Sequence, residues 1–239
     1  MPSNRQTVGV YLLWSPDGTS IASTLGGAWG SSLRIWNITD GKTLVNLQDL
    51  NAVNWMQWSP NSAHLFFGLT GDFMSAYDLR SGQILLHNPF VYPSVSRPGM
   101  PLAGWSPDGS RLVQAVTTQP PLSSSGNIPD QIGAVRIQIT DFPALHEITS
   151  WTAPAAMGLI GLIWSRDGRY IIAAYNDTQN NQHGAAIYDP ANGKLLGSIS
   201  TPGIVWSMAF SPDGHFLLIC WQDPATLQLA LGLYLLSQG

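Results

Sequence analysis

What this sequence lacks narrows the reading first. It has one cysteine, Cys220, so no intrachain disulfide can form, and that thiol sits inside the apolar run Phe216 to Trp221, where it reads as a small core hydrophobe. Charge is scarce: Lys plus Arg number 10 and Asp plus Glu 14, together 10% of the residues against about 25% in an average domain. No basic run exists to follow a phosphate backbone, and the net charge is −4, which argues against a nucleic-acid partner. Apolar stretches are only strand-sized, far short of the roughly 20 residues needed to cross a bilayer as a helix. The first residues, Met1 to Thr7, lack an apolar signal core. The expectation is therefore a cytoplasmic chain without a membrane span.

Catalytic patterns are also missing. The five histidines, His64, His87, His146, His183 and His215, are scattered without metal-ligand spacing, and no Gly-x-Ser-x-Gly elbow or phosphate-cradling glycine loop occurs. The reading is non-catalytic, with no cofactor and no metal. A hydrolase assembling residues from several repeats stays open as a minor alternative.

What the sequence does have is repetition. One phrase returns five times: Trp14-Ser-Pro-Asp-Gly18, Trp58-Ser-Pro-Asn-Ser62, Trp105-Ser-Pro-Asp-Gly109, Trp164-Ser-Arg-Asp-Gly168 and Phe210-Ser-Pro-Asp-Gly214. Its aromatics are spaced by 44, 47, 59 and 46 residues, the length of a four-stranded propeller blade. Proline presets φ, the aspartate bonds back to the backbone and glycine accepts positive φ, so the phrase predicts a hairpin turn between two strands, a and b. A second phrase, Ile35-Trp-Asn-Ile-Thr-Asp-Gly-Lys42, Ala76-Tyr-Asp-Leu-Arg-Ser-Gly-Gln83 and Ile187-Tyr-Asp-Pro-Ala-Asn-Gly-Lys194, ends strand c and turns into strand d. Repeat three is irregular, with Ile137-Gln-Ile-Thr-Asp-Phe-Pro143 in that place.

At these residues the chain resembles the WD-repeat family, whose strand c closes on Trp-Asp, matched here by Trp36-Asn37, Tyr77-Asp78 and Tyr188-Asp189. The resemblance implies an all-β fold, a β-propeller with five four-stranded blades over repeats of about 8–51, 52–99, 100–158, 159–203 and 204–239 in a single domain. It departs from the family in lacking the Gly-His pair before strand a, so blade packing is expected to be apolar. The repeat style is similar to that of bacterial propellers.

The last repeat, Leu233-Tyr-Leu-Leu-Ser-Gln-Gly239, aligns with Ile35 to Gly41 and stops at the glycine that should launch strand d. The last blade is expected to lack its outer strand. Either Met1 to Thr7 supplies it, or the chain belongs to a larger propeller whose unpaired edges favour a homo-oligomer.

Function then falls to the loops. The a–b and c–d turns are short, whereas Asn88 to Met100, Thr117 to Gln131, Ser150 to Gly158 and Asn176 to His183 read as expansions on the opposite rim. Aromatic and arginine side chains dominate interface energetics, which makes Trp29, Phe90, Tyr92, Arg97, Trp151 and Met157 the candidate partner-binding residues. Packing of these residues onto the blades is the competing reading. The five repeated aromatics are assigned to the core and the repeated aspartates to turn chemistry. The expected function is a protein–protein interaction scaffold binding a protein or peptide, with a ligand-sensing domain of a larger receptor or kinase as the alternative.

Overall fold

The structure is a computed structural model that describes residues 11–27, 30–50, 53–69, 73–88, 101–117, 135–153, 158–177, 180–211 and 213–236. The described residues form strands and turns, and no helix long and apolar enough to cross a membrane occurs among them. They belong to two compact units, Met1–Pro89 and Phe90–Gly239.

The first unit holds two antiparallel four-stranded sheets. Sheet 1 runs in the order β1 (Leu12–Trp14), β2 (Ser20–Gly27), β3 (Gly30–Asn37), β4 (Thr43–Leu50), and sheet 2 in the order β5 (Val53–Trp58), β6 (His64–Leu69), β7 (Phe73–Asp78), β8 (Gln83–Asn88). The second unit holds three. Sheet 3 contains β9 (Ala103–Trp105), β10 (Arg111–Thr117), β11 (Val135–Asp141) and β12 (Glu147–Thr152). Sheet 4 contains β13 (Gly158–Trp164), β14 (Ile171–Asp177), β15 (Gln182–Tyr188) and β16 (Leu195–Thr201). Sheet 5 has three strands, β17 (Val205–Phe210), β18 (Phe216–Gln222) and β19 (Leu229–Leu235). Each is a meander of neighbouring strands, which short turns permit. The expected all-β fold is the observed one, including a last sheet without a fourth strand among the described residues.

The repeated phrase forms the turn its chemistry predicts. Ser15, Ser106 and Ser165 each donate their hydroxyl to the aspartate two residues on, Asp17, Asp108 and Asp167, at 2.6 Å. The same aspartates accept the backbone N–H of Thr19, Ser110 and Arg169 at 3.0 Å. The closing glycines, Gly18, Gly109, Gly168 and Gly214, have φ between 71° and 78°, and Ser62 takes that place in the second repeat at 58°. A left-handed residue is required there, and glycine adopts it without a Cβ penalty.

Strand alternation gives every sheet two faces, and packing is always back to front. In the first unit Ala22, Leu33 and Ile35, on the back of sheet 1, pack on Trp58, Leu65 and Phe67 at the front of sheet 2. In the second, Val113, Ile137 and Ile139 of sheet 3 meet Leu162, Ile171 and Tyr175 of sheet 4. On the other side of sheet 4, Ile172, Ala174 and Ala185 meet Val205, Leu217 and Ile219 of sheet 5. Polar links add to these apolar seams: Trp58 donates its indole N–H to the Leu13 carbonyl at 3.1 Å. The Asn176 side-chain amide bonds both the carbonyl and the N–H of Val205, at 3.0 and 2.8 Å.

Two expectations need correction. The five repeated aromatics are not uniformly core: Trp58 and Trp105 are buried and Trp164 and Phe210 partly so, but Trp14 is 60% exposed. The aromatic lies on its sheet's front face, which the preceding sheet covers, as Trp58 shows by reaching Leu13. Among the described residues no sheet stands before sheet 1 in its unit, and Trp14 has no counterpart to the Phe142 ring that lies edge-on to Trp105 at 4.7 Å in sheet 3. The expected loop expansions are also smaller than the sequence suggests in two places. Asn176 pairs with His183 and Asp177 with Gln182 inside the β14–β15 hairpin. Likewise β12 continues through Thr152, where it pairs with Arg136.

Candidate functional site

Of the residues expected to bind a partner, Trp29, Phe90, Tyr92, Arg97 and Met157 lie outside the described residues. Trp151 is described. It sits in β12 opposite Ile137, half-buried, with its ring 5.3 Å from that of Tyr188. It also lies over Gly193, where an added Cβ would come within 2.4 Å of the indole. Gly193 has φ 70°, so the c–d turn of sheet 4 needs glycine for its backbone and for this approach.

Three surface features compete for a functional role. The first is a cleft of about 440 Å³ on sheet 4, where Gln182, His183, Ser198 and Ser200 stand beside Tyr175, Ala186 and Leu195 and no Asp, Glu, Lys or Arg takes part. The second is a pair of adjoining hollows of about 330 and 460 Å³ at the a–b turns of sheets 3 and 4. They share Arg111, Trp164 and Gly168. Acids and bases are interleaved here. The Ser106 hydroxyl and the Ser110 N–H hold the Asp108 carboxyl down at about 2. At Asp167 burial pushes the other way, but bonds from Ser165 and Arg169 outweigh it and leave the carboxyl below its ordinary range. These ionised aspartates stabilise turns and carry no base character. Among the described residues no three His, Cys, Asp or Glu side chains gather as a metal-holding group.

The third feature is the back face of sheet 5, and it differs in kind. In β19 the side chains alternate, and Leu229, Leu231, Leu233 and Leu235 all point one way, each between 65% and 68% exposed. Their cross-strand partners Gln222, Cys220, Leu218 and Phe216 share that face, so Cys220, expected in the core, is only partly buried on the outward side of its strand. Ser207 and Ala209 in β17 complete it, with Trp206 beside them at 40% exposure. No residue of this face carries a formal charge. The opposite face, with Met208, Leu217 and Ile219, is buried on sheet 4.

Sheet 4 shows what such a face is for. The repeat places Ile160, Ile163, Tyr170, Ile172, Ala174, Ala185 and Ile187 exactly one period of 46 residues before Trp206, Ala209, Phe216, Leu218, Cys220, Leu231 and Leu233. All seven residues of the earlier set belong to the cluster that packs sheet 4 on sheet 5. The corresponding face of sheet 5 is built for burial and is exposed. By contrast, the outer strand of sheet 3 carries charge, where Glu147 meets Arg136 of the neighbouring strand at 3.0 Å.

The signal for this face was present in the alternation of Leu227, Leu229, Leu231, Leu233 and Leu235. Reading these residues only as an unfinished last repeat missed it.

Comparison with known proteins agrees with this geometry. The family model described as WD domain, G-beta repeat, matches residues 193–223, which run from the end of the c–d turn of sheet 4 through the whole of β16, β17 and β18. The β-propeller domain of Cps50 (Swd1) from Myceliophteria thermophila superposes with a TM-score of 0.66 at 16% identity, over 96% of this chain and 73% of that one. The chain carries a WD repeat, and its fold is a β-propeller. Each sheet is thus a propeller blade. Kuenenia stuttgartiensis hydrazine synthase matches with a TM-score of 0.68 at 16% identity, over 92% of this chain and 58% of that one. TolB from Acinetobacter baumannii matches at 0.62 and 15%, over 95% and 49%. The propeller therefore spans about half the length of these last two structures. No curated protein matched the chain.

Proposed function

We propose that this propeller is a non-catalytic protein-interaction module, and that the back face of blade five is its docking surface. One observation carries the reading: an uncharged apolar blade face lies exposed although its repeat counterpart in blade four is buried. Four leucines about two-thirds exposed, with Trp206 and Leu218, offer roughly 650 Å² of apolar surface, close to the ~800 Å² that each partner contributes to a standard interface. That exceeds the largest apolar patch tolerated on many monomers and marks a contact site.

The test is a melting experiment on Leu231→Glu/Leu233→Glu. A docking surface outside the folded core accepts the two carboxylates with little change in melting temperature, and intermolecular association falls. If the leucines instead belong to the chain's own core, burying two charges costs several kcal/mol and the variant unfolds, which would end the interaction reading.

A further inference from the structure

Every seam between blades described above joins a back face to a front face: sheet 1 to sheet 2, sheet 3 to sheet 4, and sheet 4 to sheet 5. Blade five presents an exposed back face. Blade one presents an exposed front face, with Leu12 at 72%, Trp14 at 60% and Leu25 at 64% exposure. Trp14 holds the place in its repeat that Phe210 holds in blade five, and Phe210 packs against the back of blade four. Trp58, in the same place of blade two, packs in the core shared with blade one.

From this we infer that the occupant of the blade-five face is a second copy of this chain, docking head to tail through the front face of its blade one. The inference rests on reading the blade-five back face as an outward docking surface. The aromatic and leucine side chains at the front of blade one are the kind that cover a back face at the seams already seen. Charge permits the contact. The back face has none, and on the front face Arg34 is already engaged, with its guanidinium 5.8 Å from the Trp36 ring and its Nε bonded to Asn46. The available area, roughly 650 Å² on the back face, is that of one side of a stable interface. Back-to-back pairing through two leucine faces has no precedent among the seams of this molecule. A head-to-tail contact is heterologous, so it propagates into a closed ring or an open chain of subunits.

The experiment uses two variants of the full chain, one blocked on each face. The back-face variant is Leu231→Glu/Leu233→Glu and the front-face variant is Leu12→Glu/Trp14→Glu. Each is first shown to be folded by its melting curve, with the milder pairs Leu231→Ser/Leu233→Ser and Leu12→Ser/Trp14→Ser as replacements where glutamate unfolds the protein. Light scattering then gives the mass across a concentration series. The wild-type chain is expected to associate with rising concentration. Each variant alone is expected to stay at the 25.8 kDa of a single chain, with self-association weakened at least ~100-fold by a charge buried in the contact. An equimolar mixture of the two is expected to form a heterodimer, because each retains the one good face the other needs.

A single-chain mass for the wild type at every concentration overturns the inference. So does self-association of the front-face variant, which would mean back-to-back pairing, or failure of the mixture to associate. Unfolding of both back-face variants would instead overturn the docking-surface reading beneath it.

Discussion

Ile172 and Leu218 occupy the same position of consecutive repeats, yet the account assigns them different costs when truncated. Ile172 is completely buried between blades four and five, whereas Leu218 is 36% exposed on the outward face of blade five. Ile172→Ala removes methylenes from a closed seam and leaves a cavity, for which about 3 kcal/mol is expected. Leu218→Ala removes apolar surface that water already reaches, leaves no enclosed void and is expected to cost about 1 kcal/mol. For a chain of this size those losses correspond to falls in melting temperature of about 6–12 °C and about 2–4 °C. Urea denaturation of both variants, at a concentration where the wild type is a single chain, measures the difference through the midpoint with an unchanged slope. Equal costs for the two substitutions would refute the argument, because they would place Leu218 under cover equivalent to that of Ile172.

Acid should destabilise the propeller through its turns. The Asp108 carboxyl is held at about 2 against an ordinary 3.8, a difference of about 2.4 kcal/mol before screening and about 1 kcal/mol at so exposed a turn. Because the folded value is the lower one, this stability is present above pH ~4 and lost as pH falls toward ~2. Asp17 and Asp213, lowered chiefly by the Ser15 and Ser211 hydroxyls, act in the same direction. Melting curves of Asp108→Asn and wild type should therefore differ at neutral pH and converge near pH 2. Trp58→Phe removes the bond to the Leu13 carbonyl and part of a buried ring, and should cost about 2 kcal/mol in a urea titration. Trp151→Ala, which strips a half-buried ring from Tyr188 and Gly193, should also lower stability by about 2 kcal/mol. A stability-neutral Trp151→Ala would mean the ring does not hold the two blades together.

The parts of this fold that were legible in the sequence are those decided locally. Ser106, Asp108 and Gly109 each act within a few residues of their own position, so the turn they form could be read from the phrase alone. The same holds for Asp78 and Asp189, which cap the c–d turns by accepting the N–H groups of Arg80 and Ala191. Trp14 was misread because its environment depends on what stands in front of its blade, and nothing in the phrase Trp14 to Gly18 encodes a neighbour. The leucines of β19 illustrate the same limit. Their alternation announces a strand, and the alanine, glycine and tyrosine between them announce an apolar second face. Which face is covered is a property of packing between blades, visible only once Leu217 and Ile219 are seen buried and Leu231 and Leu233 exposed. The indole N–H of Trp58, bonded to the Leu13 carbonyl, is likewise a tertiary choice.

The most direct test of the exposed blade face uses the one cysteine the chain possesses. Cys220 lies opposite Leu231 on the back of blade five and is only partly buried, so a thiol reagent reports on that face without any substitution. At high dilution under native conditions the account predicts that Cys220 is modified far faster than the chain unfolds, and that modification slows as rising protein concentration covers the face. A thiol that reacts only at the rate of global unfolding, at every concentration, would contradict the account.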